Sequence, residues 1–361
     1  MFPPQGPPAA VLFTNPPTMV EWNADKAVNG NMRTPKPLPL HLVGRPFTLP
    51  QARQAGVTRG RTRASDLSTP YRDVRLPHPA DVSLIERCRA IASVTPTSLI
   101  SHITAAKLHE FRLPFRYMNM EDIHVSKNLG LGRPQRNRVY GHELSLAATD
   151  YALVQGIPVT SVQRTLLDIA PELSVDELVA VADQIVCAHN RSFGPPKLPL
   201  VEISELRAYI AQHRGLRGIR KLVAAMELVR VGSDSAPESQ LRLFIQRWAL
   251  PEFMCNYEIK DATGTPQVAP DLSCPRYRTC AEYDGGHHLS LEQQSKDHDR
   301  NFLTTSLGWH QSVINKNDMG NGGLVAVTKI ARMLILGGWD DPANLARRSL
   351  LGQLHVRKDF T

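Results

Sequence analysis

The chain has 361 residues, of which 42% are hydrophobic and 21% charged, and it carries a formal net charge of +8. That length suits two or three domains of roughly 150 residues, and the composition excludes a globally disordered chain. Five cysteines with no CxxC pair argue against a disulfide framework and a structural zinc site. No apolar run reaches the length of a membrane span, and the N-terminus lacks a basic segment followed by an apolar one, so the expectation is a reduced, soluble, cytoplasmic protein. The charge is split: residues 1–140 hold 19 Lys/Arg against 9 Asp/Glu, and residues 141–361 hold 23 against 25. A basic front suits an anionic partner such as nucleic acid.

Eleven of the 28 prolines fall within the first 50 residues, so 1–44 reads as a poorly ordered leader. Residues 45–80 read as a helix–turn–helix-like region. Thr48 caps a short helix over 49–55 with Pro50 in its first turn, Gly56 ends it, and Thr58 starts a second helix reaching about residue 67. The second helix carries Arg59, Arg61 and Arg63, and Arg53 precedes them; this is either a DNA-contacting face or a solvated basic one. Residues 81–192 read as a mixed α/β middle domain. Its predicted helices are at 84–94, led by Ser83, then 101–111, 162–170 and 175–187. The last follows the capping box Ser174-Val-Asp-Glu177, and short strands fall at 122–126, 138–140 and 157–159. Arg133, Arg136 and Arg138 make a basic turn there. Residues 193–232 form a Pro-rich linker and two helices, at 203–213 and 216–230.

The most informative stretch is 233–340, ahead of a tail at 341–361. Its predicted order is a helix at 236–249, strands at 253–259, 267–273 and 278–284, a helix at 290–307, a strand at 309–314 and a final helix at 323–336. Asp271 and Glu282 lie symmetrically about the turn Pro275-Arg276-Tyr277. In a hairpin they stand opposite each other with Cβ atoms roughly 5 Å apart. That spacing suits two carboxylates sharing a hard cation such as Mg²⁺. Asp284 points to the same strand face as Glu282. Such clustered carboxylates repel unless a cation or base compensates them. Glu238 is open to two readings, as the third helical residue of the capping box that starts at Ser235 and as a fourth carboxylate. His287 and His288, after Gly285-Gly286, read either as a general base or phosphate contact or as surface residues of a turn. Asp299 and Arg300 read as a helical surface pair or as groups orienting the site.

Certain motifs carry a family resemblance: Pro270-Asp271-Leu272, Ala281-Glu282-Tyr283-Asp284-Gly285-Gly286-x-His288, Asp297-x-Asp299-Arg300 and Leu307-Gly308-Trp309. They resemble the Vsr-like branch of the PD-(D/E)XK nuclease superfamily, and more narrowly an uncharacterised domain common in actinobacterial proteins. The expected element order agrees with that superfamily's restriction-endonuclease-like αβββαβ core. Upstream, Arg45-Pro-Phe-Thr-Leu-Pro-Gln-Ala, Ser101-His-Ile-Thr-Ala-Ala-Lys-Leu and Thr160-Ser-Val-Gln-Arg-Thr-Leu-Leu-Asp168 are similar to the front of the same proteins. That front is similar to the abortive-infection antitoxin family of type IV toxin–antitoxin systems, which begins with a winged helix–turn–helix. The resemblance covers roughly residues 45–336.

The resemblance implies an α/β chain (α+β overall) that cleaves DNA phosphodiester bonds with Mg²⁺. Asp271 and Glu282 would be metal ligands, and Glu238 the acid on the helix. Asp284 and His288 complete the candidate catalytic set, and Arg53, Arg59, Arg61 and Arg63 the DNA-contacting one. One departure stands out: the superfamily's third motif ends in Lys, where this chain has Asp284. Lys296, Lys316 or His288 would have to replace it. The alternative expectation is a non-catalytic, antitoxin-like regulator with a degenerate nuclease domain and a toxin or defence-system partner. A third is a metal-dependent hydrolase of RNA.

Overall fold

A computed structural model describes residues 35–77, 82–190, 195–285 and 300–347. The chain divides into two units, Met1–Pro37 and Leu38–Thr361.

The front is a small three-stranded sheet with one helix. β1 (Phe47–Thr48) leads directly into α1 (Leu49–Gln54), and β2 (Leu67–Ser68) and β3 (Val74–Pro77) complete the sheet in the order β1-β3-β2. Thr48 caps α1 through a reciprocal pair of hydrogen bonds with Gln51, and Gly56 ends it at φ +72°, as expected. Two expectations fail here. The ordered fold starts before residue 44, because Leu42 is buried with Phe47, Ala52 and Leu67. The helix expected from Thr58 is only a 3₁₀ turn, Arg61–Arg63. Arg61 closes onto Asp66 with a bidentate pair at 2.8 and 2.6 Å, and Arg75 from β3 donates to the Thr62 carbonyl at 2.6 Å. These contacts turn the chain into β2 before a second helical turn can form.

The middle contains a five-stranded sheet in the order β6-β5-β4-β8-β7. Its strands are β4 (Ser98–Ile100), β5 (Ile123–Asn128), β6 (Val139–Leu144), β7 (Tyr151–Val154) and β8 (Ile157–Thr160). β4 and β7 escape the sequence reading, being three and four residues long. α2 (Leu84–Val94), α3 (His102–Leu108) and the short α4 (Phe115–Met118) precede or interrupt the strands, and α2 and α3 share a core with the sheet. Arg136, read as part of a solvated basic turn, instead donates to the carbonyls of Val94 and Arg72 at 2.5 and 2.9 Å.

α5 (Val162–Ile169), α6 (Val175–Ile185), α7 (Ile203–Gln212) and α8 (Ile219–Leu228) form a helical core that also receives Leu243. Ser161 and Ser174 cap α5 and α6. The expected linker region thus supplies two packed helices. Its Lys197 backbone also bridges to His189.

The last third follows the expected order. α9 (Ala236–Arg247) is followed by β9 (Met254–Cys255), a small hairpin of β10 (Ile259–Lys260) and β11 (Pro266–Val268), then β12 (Leu272–Cys274) and β13 (Thr279–Asp284). A helix over 300–306 (α10), β14 (His310–Asn315) and α11 (Leu324–Leu336) complete it. The main sheet runs β14-β13-β12-β9, with β12 antiparallel to both β9 and β13 and β14 parallel to β13. Two expected strands are each split in two. Asn256 sits at φ +47° between β9 and β10, and Pro270, which has no N–H for a ladder, separates β11 from β12.

The β12–β13 turn is tightly held. Pro275–Tyr277 makes a 3₁₀ turn and Arg278 takes φ +45°. Thr279 Oγ1 donates to the Tyr277 carbonyl at 3.0 Å and lies 3.3 Å from the Met333 carbonyl of α11. Gly337, just after α11, packs against the turn so closely that a Cβ would lie 1.9 Å from the Tyr277 carbonyl oxygen. Its φ is −81°, so alanine there suffers overlap and no backbone penalty. Gly337→Ala is expected to lower the free energy of unfolding by roughly 1–3 kcal/mol, read as a shift in urea midpoint. An unchanged midpoint would show that this contact does not hold the turn.

Candidate active site

The paired register Leu272↔Ala281, Ser273↔Cys280, Cys274↔Thr279 continues one step outward to Asp271 and Glu282, as the symmetry about the turn predicts. Alternation then puts Asp271, Ser273, Cys280 and Glu282 on one face. Leu272, Cys274 and Ala281 lie on the other, in the core with Ile314, α9 and α11. Asp271 Oδ2 accepts the Tyr283 N–H at 2.8 Å. Glu282 is held by two donors, Arg300 Nη2 at 3.0 Å from Oε1 and Gln311 Nε2 at 3.0 Å from Oε2. Arg300 also reaches the Ala269 carbonyl at 2.7 Å, and Gln311 donates to Asn301 Oδ1 at 2.8 Å, so α10 starts over this face.

Glu238 arrives from the head of α9. Both sequence readings hold in part. Ser235 Oγ accepts the Glu238 N–H at 3.2 Å, and the Glu238 carboxylate accepts the Asp234 N–H at 2.7 Å, one residue before the expected capping-box partner. The same carboxyl is electrostatically linked to Asp271. The direction of α9 is set from behind by Asp183 of α6. Asp183 is fully buried and accepts from Arg242 Nη2 at 2.7 Å, Ser239 Oγ at 2.7 Å and the Arg230 N–H at 2.8 Å.

The electrostatics show excess negative charge. Burial lifts the Asp271 carboxyl to about 6, with Glu282 adding to the rise and the Tyr283 N–H and Arg300 opposing it. Burial, then the neighbouring Asp271, lifts Glu238 to about 7. Asp284 stands exposed at the end of β13, across from Asn315. Among the described residues, no three of these four carboxyl groups place an oxygen each within 4.8 Å of one another. The expected cluster therefore resolves into an opposed pair, Asp271 and Glu282, with Glu238 beside it and Asp284 at the rim. His288, with His287, Lys296, Asp297 and Asp299, lies outside the described residues. Lys316 is exposed in the turn after β14.

Of the front arginines, Arg53, Arg59 and Arg63 are exposed. Arg61 is half-buried and pairs with Asp66. The sequence reading missed Gln311, Asn301 and the Asp183–Arg242 pair. These groups come from distant segments, and no local pattern joins them. Among the described residues no helix is long and apolar enough to cross a membrane. No family model matches the chain, and no curated protein matches it in sequence.

The donors are hard oxygens in a site with surplus negative charge, which fits a divalent cation of the Mg²⁺ class held by one or two carboxylates. The pH consequence follows from the raised carboxyl values. Between about pH 4 and 7 the folded state holds more protons at Asp271 and Glu238 than the unfolded chain does, so these groups subtract stability as pH rises through that window. In metal-free solution Asp271→Asn is expected to melt higher than wild type at pH 8, by on the order of 1 kcal/mol, with the difference vanishing near pH 4. Mg²⁺ is expected to stabilise wild type more at pH 8 than at pH 5. Thermal melts that show the same wild-type-to-variant difference at both ends would contradict this electrostatic account.

Proposed function

We propose that residues 233–340 form a divalent-cation-dependent nuclease domain that hydrolyses DNA phosphodiester bonds. The supporting observation is the opposition of Asp271 and Glu282 in a helix, three-strand, helix, strand order, with Glu238 coupled to Asp271. The resemblance of the sequence to the PD-(D/E)XK superfamily supports the same reading.

In this reading Asp271 and Glu282 hold Mg²⁺. When bound, that ion would supply polarisation of a phosphoryl oxygen and a lowered pKa for an attacking water. Gln311 and Arg300 fix the Glu282 carboxylate, and the Tyr283 N–H fixes Asp271. Glu238, with its carboxyl near 7, is poised to hold or release a proton at neutral pH. Arg53, Arg59 and Arg63 contact phosphates, and each contact adds to the salt dependence of binding.

Purified protein with Mg²⁺ is expected to nick or cut DNA in preference to matched RNA, with Asp271→Ala and Glu282→Ala each lowering the rate at least about a hundredfold. Wild type and both variants equally inert across metals and substrates would refute the nuclease reading.

A second reading is favoured by one observation: the motif Lys is replaced by Asp284, and among the described residues Arg300 reaches Glu282. It makes the protein a non-catalytic, antitoxin-like DNA-binding regulator with a toxin or defence-system partner. Salt-sensitive DNA binding that depends on Arg53, Arg59 and Arg63 and ignores Asp271, without cleavage, supports it.

A further inference from the structure

Three histidines from separate elements meet in the middle region: His102 at the start of α3, His124 in β5 and His142 in β6. One ring nitrogen from each lies within 4.8 Å of the other two. His124 Nδ1 is 3.0 Å from His142 Nε2. The His102 ring stacks on His142 with centroids 3.7 Å apart. The β5–β6 register pairs Ser126 with His142 and His124 with Tyr140, so both histidines project from one sheet face.

We propose that His102, His124 and His142 form a binding site for a transition-metal ion of the zinc class. The donor set is three imidazoles with no thiol or carboxylate among them, which suits Zn²⁺, Co²⁺, Ni²⁺ or Cu²⁺ and not Mg²⁺ or Ca²⁺. Nitrogens bound tetrahedrally at about 2.05 Å from zinc lie about 3.3 Å apart, close to the His124–His142 spacing. Ser101 Oγ meets His102 Nδ1 at 3.0 Å and accepts from Ser126 Oγ at 2.6 Å, a supporting chain that leaves Nε2 of His102 for an ion.

One further observation favours a ligand over plain packing. His102 takes φ +51°, a strained backbone for a non-glycine residue, at the position whose ring stacks on His142. Burial chiefly holds all three rings in the neutral, ligand-competent form, at about 4 for His124 and His142 and lower still for His102. The cations facing them are Lys107, Arg133 and Arg164. Arg164 is matched by Asp168 and Asp150, and Lys107 is bound to the carbonyls of Met118 and Met120. These charges repel any divalent ion, so affinity must come from coordination bonds, which again selects a transition metal. A second group, Cys187, His189 and Asp234, is as close together, but Lys197 already pairs with its Asp234, and His189 Nε2 sits 2.6 Å from the same carboxylate.

The test is titration of chelator-treated, full-length protein with Zn²⁺ and with Co²⁺. The expected result is one high-affinity ion per chain in wild type, tighter than any binding at the Asp271–Glu282 carboxylates, with the affinity of that site at least about tenfold weaker in His142→Asn and in His102→Gln. The affinity of that site is expected to be unchanged in Cys187→Ser. The Co²⁺ complex should lack thiolate-to-cobalt charge-transfer absorption. Each histidine variant is first matched to wild type by its metal-free melt, and two variants guard against one failing to fold. Absence of binding in wild type overturns the proposal. So does binding unaffected by both histidine variants, or a thiolate band removed by Cys187→Ser.

Discussion

Two short strands and the turn between them set the geometry on which the C-terminal domain depends. A one-residue slip in the β12–β13 pairing would send Asp271 and Glu282 to opposite faces. The protein guards that register locally. Arg278 adopts φ +45° and Thr279 bridges the turn to α11. Gly337 admits the Tyr277 carbonyl at a distance no side chain allows. Leu272, Cys274 and Ala281 then bury the other face, so the carboxylates cannot leave theirs without exposing the core.

The second constraint is electrostatic. Burying opposed carboxylates raises the cost of ionising both. Arg300 and the Tyr283 N–H offset part of it, and Asp271 and Glu238 remain lifted toward neutrality. Glu238 cannot relax away, because the Asp183–Arg242–Ser239 network locks α9 against α6. A buried charge pair of this kind adds little net stability, but it fixes an orientation. The near-neutral charge of residues 141–361, against the basic front, has a local counterpart in this group of carboxylates.

Much of this was legible in the sequence. The caps Thr48, Ser83, Ser161, Ser174 and Ser235 announce their helices because each satisfies an orphan N–H within three residues. The Asp271–Glu282 opposition follows from symmetry about a turn. What stayed hidden depends on long-range partners. Asp66 and Arg75 convert the expected second front helix into a 3₁₀ turn. Gln311 reaches Glu282 only because β14 lies parallel to β13. The three histidines are about twenty residues apart in sequence, and no periodicity joins them; only the pairing of β5 with β6 and the placement of α3 bring them together.

The central claim is that Asp271 and Glu282 act as one cation site. Electron paramagnetic resonance titration of free Mn²⁺, with Mg²⁺ as competitor, measures this most directly. The account predicts a Mg²⁺-competed site that is lost in Asp271→Asn and in Glu282→Gln alike, with the double variant losing little more than either alone. Mn²⁺ affinity unchanged in both single variants would contradict it.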